Sequence, residues 1–198
     1  MISFDHAALA QSLLEGDWDA RWILADLLHE AGEDELAEFA RNARRVNREG
    51  DLHLAIRLLP TREAIALGCA LLDRGMTGKG TVRRHAWLLA RLARVRRLVR
   101  RGAPADHFAA EGRSLVNYRV AGSVGRDDHS LEDAAQSLGT ALEQAESARA
   151  VGAAIANVAR AMRRRTGYLS ELEWQVERAR QIFERLIETA TDELYALP

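Results

Sequence analysis

One spacing constrains this chain more than any other feature. Leu131, Ala134, Leu138, Ala141, Ala145, Ala148, Gly152, Ile155, Ala159 and Met162 step by three and four in strict alternation. That period lays all of them along one stripe of an α-helix, whereas a strand turns a new face every second residue. A second stripe follows at Leu169, Leu172, Val176, Ala179, Phe183, Leu186 and Ala190, widened by Ile182 and Ile187. Small residues dominate the first stripe and large ones the second. Thr166-Gly167 turns the chain between them. The two stripes therefore predict a long C-terminal antiparallel helical hairpin. Ser130 with Asp133 and Ser170 with Glu173 have capping-box spacing and mark the expected starts. Arg163, Arg164 and Arg165 fall at the end of the first stripe, where cations suit the helix dipole. Gly152 lies on the seam, so residues 130–163 can run as one helix about 50 Å long or as two.

The rest of the chain also reads as helix. Prolines stand only at Pro60, Pro104 and Pro198, and Ala, Leu, Arg and Glu dominate. No alternating strand pattern exceeds four residues. The expected fold class is all-α, a multi-helix bundle. Ser3 caps a helix that Gly16 closes, and Asp17 or Asp19 caps the next, which stops at Gly32. A third runs from Asp34 to Asn47. Gly50 and Asp51 mark a turn, and a short helix follows to Leu59. Pro60-Thr61 opens a helix ending near Gly75, and Met76–Thr81 is a loop. Thr81 caps a helix over 82–101, Pro104 opens another over 105–120, and 121–128 is a second loop. Two units are expected, 1–59 and 60–198. Hydrophobic residues make up 47% and charged residues 29%, a globular balance that argues against disorder. The lone Cys69 excludes a disulfide framework and argues against a cysteine zinc site. No apolar run nears the roughly 18–20 residues a bilayer requires, and the first residues lack the basic start and cleavage site of a leader. The expectation is a cytoplasmic protein without membrane insertion.

Net charge is −1, but it is segregated. Residues 1–40 hold ten acids and one base, and residues 41–102 hold sixteen bases and four acids. The helix over 82–101 carries Arg83, Arg84, Arg91, Arg94, Arg96, Arg97, Arg100 and Arg101 and no acid. Its apolar Leu88, Leu92, Val95, Leu98 and Val99 fall within about 120° of one another. Arg94, Arg97, Arg100 and Arg101 form a candidate face for anions or nucleic acid. The alternative is that the outer face pairs with the acidic N-terminal segment. Trp87 is the only aromatic on this helix, which gives little support for single-strand base stacking.

Arg21, Ala25, Asp26, Leu28, Glu30 and Gly32, followed by Ala37, Glu38, Phe39 and Arg41, form a spaced motif. It resembles the repeat-companion domain, a short bacterial module whose pattern is roughly R-L-V-x-A-D-W-L-E-E-x-G-D-x-x-x-A-E-F-I-R. Leu27, His29 and Ala40 depart from that pattern. The module is best known for accompanying other domains, so the resemblance implies no catalytic residue. By spacing, Arg21, Asp26, Glu30, Glu38 and Arg41 can tie a helix–Gly–helix corner through Arg–carboxylate pairs, around an inside of Ala25, Leu28 and Phe39.

No other motif points to catalysis. The loop Gly75–Thr81 fails the phosphate-loop pattern, since Gly80 rather than Ser or Thr follows Lys79. The six histidines show no H-E-x-x-H, and Asp26-x-x-His29 has no second copy to complete a bundle metal site. No nucleophile signature stands out. No catalytic, cofactor or metal residue is assigned. The expectation is a non-enzymatic interaction or scaffold protein that meets a protein partner or a second copy of itself. The alternative is a nucleic-acid-binding accessory protein using 82–101. Trp18, Trp22, Trp87 and Trp174 are expected in core or interface, and exposure of Trp174 would mark a contact surface.

Overall fold

The computed structural model describes residues 3–42, 48–76, 85–120 and 126–195. Among these it is all-α, with ten helices and no strand. They are α1 Phe4–Glu15, α2 Asp19–Glu30, α3 Asp34–Arg41, α4 Arg48–Leu58, α5 Thr61–Gly75, α6 Ala86–Arg100, α7 Asp106–Val116, α8 Arg126–Glu143, α9 Ala148–Thr166 and α10 Tyr168–Tyr195. No helix among the described residues is long and apolar enough to cross a membrane.

The chain divides into two compact units, residues 1–58 with 172–198, and residues 59–171. The boundary within α10 differs from the expected second unit, 60–198.

In the first unit α1 rests on α2 and α4, and α2 on α3. Ser3 caps α1 by accepting from the His6 amide at 3.3 Å, and Gly16 closes it at φ 102°. Asp17 caps α2 by accepting from the Asp19 amide at 3.0 Å. Leu13, Leu24, Leu28, Leu36 and Leu54 form the core. Gly50 and Asp51, expected in a turn, lie inside α4, and Asp51 is buried. The expected extension of α3 over 43–47 lies outside the described residues. Within α10, Ala179 and Phe183 are buried.

The second unit closes around a hairpin. Residues 130–163 form two helices, because the chain turns at 144–147 and Ser147 caps α9 by accepting from the Ala150 amide at 3.3 Å. The hairpin of tightest packing is therefore α8 on α9, one helix earlier than the seams imply. The first seam is buried on both helices apart from Ala148, which is exposed beside the turn. Ser130 is not a cap, since α8 begins at Arg126 and Ser130 is buried within it. Ser170 likewise lies inside α10, and Leu169 is exposed rather than on the buried stripe. The helix expected over 105–120 ends at Val116. Thr81, Arg83, Arg84 and residues 77–80 and 121–125 lie outside the described residues.

Glycines let these helices meet backbone to backbone. A Cβ on Gly139 would stand 2.6 Å from the Val116 amide nitrogen and 2.9 Å from the Gly112 carbonyl oxygen. Neither neighbour is a side-chain tip that could swing aside. Gly139→Ala is expected to lower stability by about 1–3 kcal/mol, as overpacking does, read by urea denaturation against the wild type.

Candidate interaction surfaces

The motif over residues 21–41 builds one corner of the first unit. The Arg21 guanidinium is buried, and its Nε donates to the Ala40 carbonyl at 2.7 Å. Its Nη1 donates to Asp51 Oδ1, also at 2.7 Å. Burial pushes the Arg21 pKa down against the pull of Asp51, and pushes the Asp51 carboxyl up against the pull of Arg21. Arg21 thus joins α2, α3 and α4. Its partner is Asp51, a residue the spacing did not single out, because Gly50-Asp51 has the composition of a turn.

The other motif residues stay near the surface. Arg41 donates to Asp26 Oδ1 at 2.8 Å in a solvent-exposed pair. Glu30 and Glu38 are exposed, and the Glu38 carboxylate accepts from the Asn42 side-chain Nδ2 at 3.3 Å. Ala25 and Leu28 are buried inside the corner as expected. Phe39 is not, and lies at the surface against the His53 ring. Beside the Arg21 lock, whose guanidinium lies over the Trp18 ring at 5.6 Å, α2 presents Trp22 at 47% and Ile23 at 52% exposure. Trp22 meets Trp18 edge to face at 6.4 Å, and the exposed Asp19, Asp26 and Glu30 share that side of the helix.

In the second unit, α6 buries Leu88, Leu92 and Val95 and turns most of its arginines outward. Arg91 donates to Glu111 on α7 at 2.8 Å, and Arg94 lies 3.6 Å from the same carboxylate. Arg96 donates to Asp73 and to the Cys69 carbonyl on α5. The acids that meet this helix therefore include two from its own unit. Arg97, Arg100 and Arg101 are exposed and meet no carboxylate among the described residues. Trp87 is 45% exposed, but its ring stacks on Tyr118 at 5.5 Å and carries the Arg91 guanidinium over it. Trp174, the suggested surface marker, is half-buried.

Among the described residues no three His, Cys, Asp or Glu side chains converge as a metal site would require. Cys69 is fully buried, and burial pushes its thiol up to about 12, far from nucleophilic range. Comparison with family models, with curated proteins and with solved structures finds no match to this chain.

Two outcomes follow. Arg21→Met or Asp51→Leu alone strands a buried charge and is expected to cost about 3–5 kcal/mol, whereas the double variant is expected to be close to neutral, measured by denaturant unfolding. Cys69 is expected to resist a thiol reagent in native buffer and to react at once in denaturant, followed by absorbance of the released thiolate.

Proposed function

We propose that this chain is a non-enzymatic helical interaction protein acting through protein–protein contacts. One observation carries the reading. α2 is fixed by the buried Arg21–Asp51 pair and displays Trp22 and Ile23 to solvent. Large apolar side chains on a rigid helix face are the chemistry of interface anchors, and tryptophan leads among them. Keeping them exposed gains nothing for folding, so a partner is the simplest occupant. The resemblance of residues 21–41 to a module that accompanies other domains supports the same reading. An inert Cys69 thiol removes the one cysteine from any catalytic role. The partner is a second protein or another copy of this chain, and the compartment that suits a single free thiol is the reducing cytoplasm.

The test is a nuclease-treated pull-down from the native cell, run in parallel with Trp22→Ser/Ile23→Ser. Losing the edge-to-face contact of Trp22 with Trp18 is expected to cost about 1 kcal/mol, so the double variant is first checked for cooperative thermal unfolding. A protein retained by the wild type and lost by the double variant supports the reading. Light scattering on both proteins identifies the case in which the partner is a second copy. Identical recovery and identical solution mass for the two would remove α2 as the contact surface.

A further inference from the structure

A second surface carries a different chemistry. At 100° per residue, Arg97 lies opposite the buried Leu88, Leu92 and Val95 of α6. Ala90, Ala93, Arg94 and Arg100 fall within about 60° of Arg97, and Arg101 caps the helix on the same side. The outward strip is thus arginine and alanine, with nothing apolar larger than a methyl group along its centre. A protein interface needs a buried apolar anchor at its middle, and this strip has none. A phosphate backbone needs only cations, preferably guanidinium groups that bind two oxygens at once. Arg94 to Arg101 spans about 10 Å of helix, and a duplex strand carries a phosphate about every 3.4 Å along its axis, so about three intervals, and up to about four phosphates, lie within that reach.

The neighbouring aromatic points to duplex rather than single strand. A base needs an open π-face to stack on, and the Trp87 ring is already engaged by Tyr118 and by Arg91. Glu111 holds Arg91 and bounds the strip on that side, while Arg97, Arg100 and Arg101 stand clear of carboxylates among the described residues. We propose that the α6 strip formed by Arg94, Arg97, Arg100 and Arg101 binds the phosphate backbone of duplex nucleic acid without reading its sequence. The site is independent of the α2 face, so either can fail without the other.

The measurement is fluorescence anisotropy of the full chain with a labelled random-sequence DNA duplex of about 24 base pairs. Salt runs from about 50 to 200 mM, and a matched single strand and a polyglutamate of equal charge serve as competitors. Four phosphate contacts predict a log–log salt slope of about −3.6 and roughly 100-fold weaker binding across that range. Arg97→Gln/Arg100→Gln/Arg101→Gln is expected to flatten the slope to about −1, and Arg97→Gln alone to flatten it by about 0.9. The side chains are exposed, so the variants are expected to keep the wild-type thermal midpoint. The single variant retains the test if the triple does not fold. No binding at low salt, a slope that ignores salt, or a slope unchanged in the variants would overturn the proposal. Tighter binding to the single strand would overturn it too, and competition by polyglutamate equal to that by duplex would assign the strip to an acidic protein instead.

Discussion

A single guanidinium fixes the geometry of the first unit. Arg21 sits where α2, α3 and α4 converge, holding the Ala40 carbonyl with one nitrogen and the Asp51 carboxylate with another. Both charges are out of water, and burial works against each. Such a pair adds little net stability, yet separating its members is expensive, because each would be left bare. Its effect is one of specificity: helices that could slide over an apolar core of Leu24, Leu28, Leu36 and Leu54 are held at one register. The next residue along α2 is Trp22, exposed and turned about 100° from Arg21. A side chain held this way has already lost its backbone freedom, which under the proposed reading lowers the cost of binding a partner.

The second unit reaches definition by steric means. Gly112 and Gly139 bring α7 and α8 together so closely that a methyl group on either would strike backbone atoms. Gly68 on α5 makes room instead for a side chain, since a Cβ there would stand 2.6 Å from Ile155 Cδ1 of α9. Small residues in the α8–α9 hairpin extend this close approach, so large side chains such as Leu138 and Met162 fill the spaces that the small ones leave. Against so tight a core, α6 needs to bury only a narrow stripe, and the rest of its circumference is left to arginine and alanine.

Much of this architecture was legible from residue pattern, and the exceptions share one cause. Ser3, Gly16, Gly32 and Pro60 mark ends where the structure places them, because capping and φ restrictions are local. The apolar seam of 131–162 is buried almost as its period demands. That period could not reveal the turn at 144–147, since Ala145 keeps the three–four count through it and Ser147 alone supplies the cap. Gly50-Asp51, Ser130 and Ser170 were misleading because their local preferences are worth about 1 kcal/mol, and tertiary burial outweighs that. Asp51 is the clearest case: its turn propensity yields to an ionic partner thirty residues earlier, a separation that no local pattern encodes. The Asp26–Arg41 pair was legible for the converse reason, since both residues belong to one short, spaced motif.

The arginines then sort by what surrounds them rather than by sequence. Arg21, Arg62 and Arg165 each donate to a carbonyl at or just past the end of another helix, at Ala40, Gly102 and Gly75. Those carbonyls lack intrahelical partners, and a guanidinium from a neighbouring helix supplies one while adding a cation where the dipole favours it. Others, such as Arg41, Arg57, Arg91 and Arg96, pair with carboxylates instead. Arg97, Arg100 and Arg101 lie in and just beyond the last turn of their own helix, where a cation is favoured by about 0.3–1 kcal/mol without touching anything. Their charge is thus compatible with the fold, and it need not be released from an internal acid before meeting a phosphate. A surface that is stable while uncompensated is one that a polyanion can occupy without rearrangement, and the strip on α6 meets that condition at Arg97, Arg100 and Arg101, with Arg94 near Glu111 at its edge.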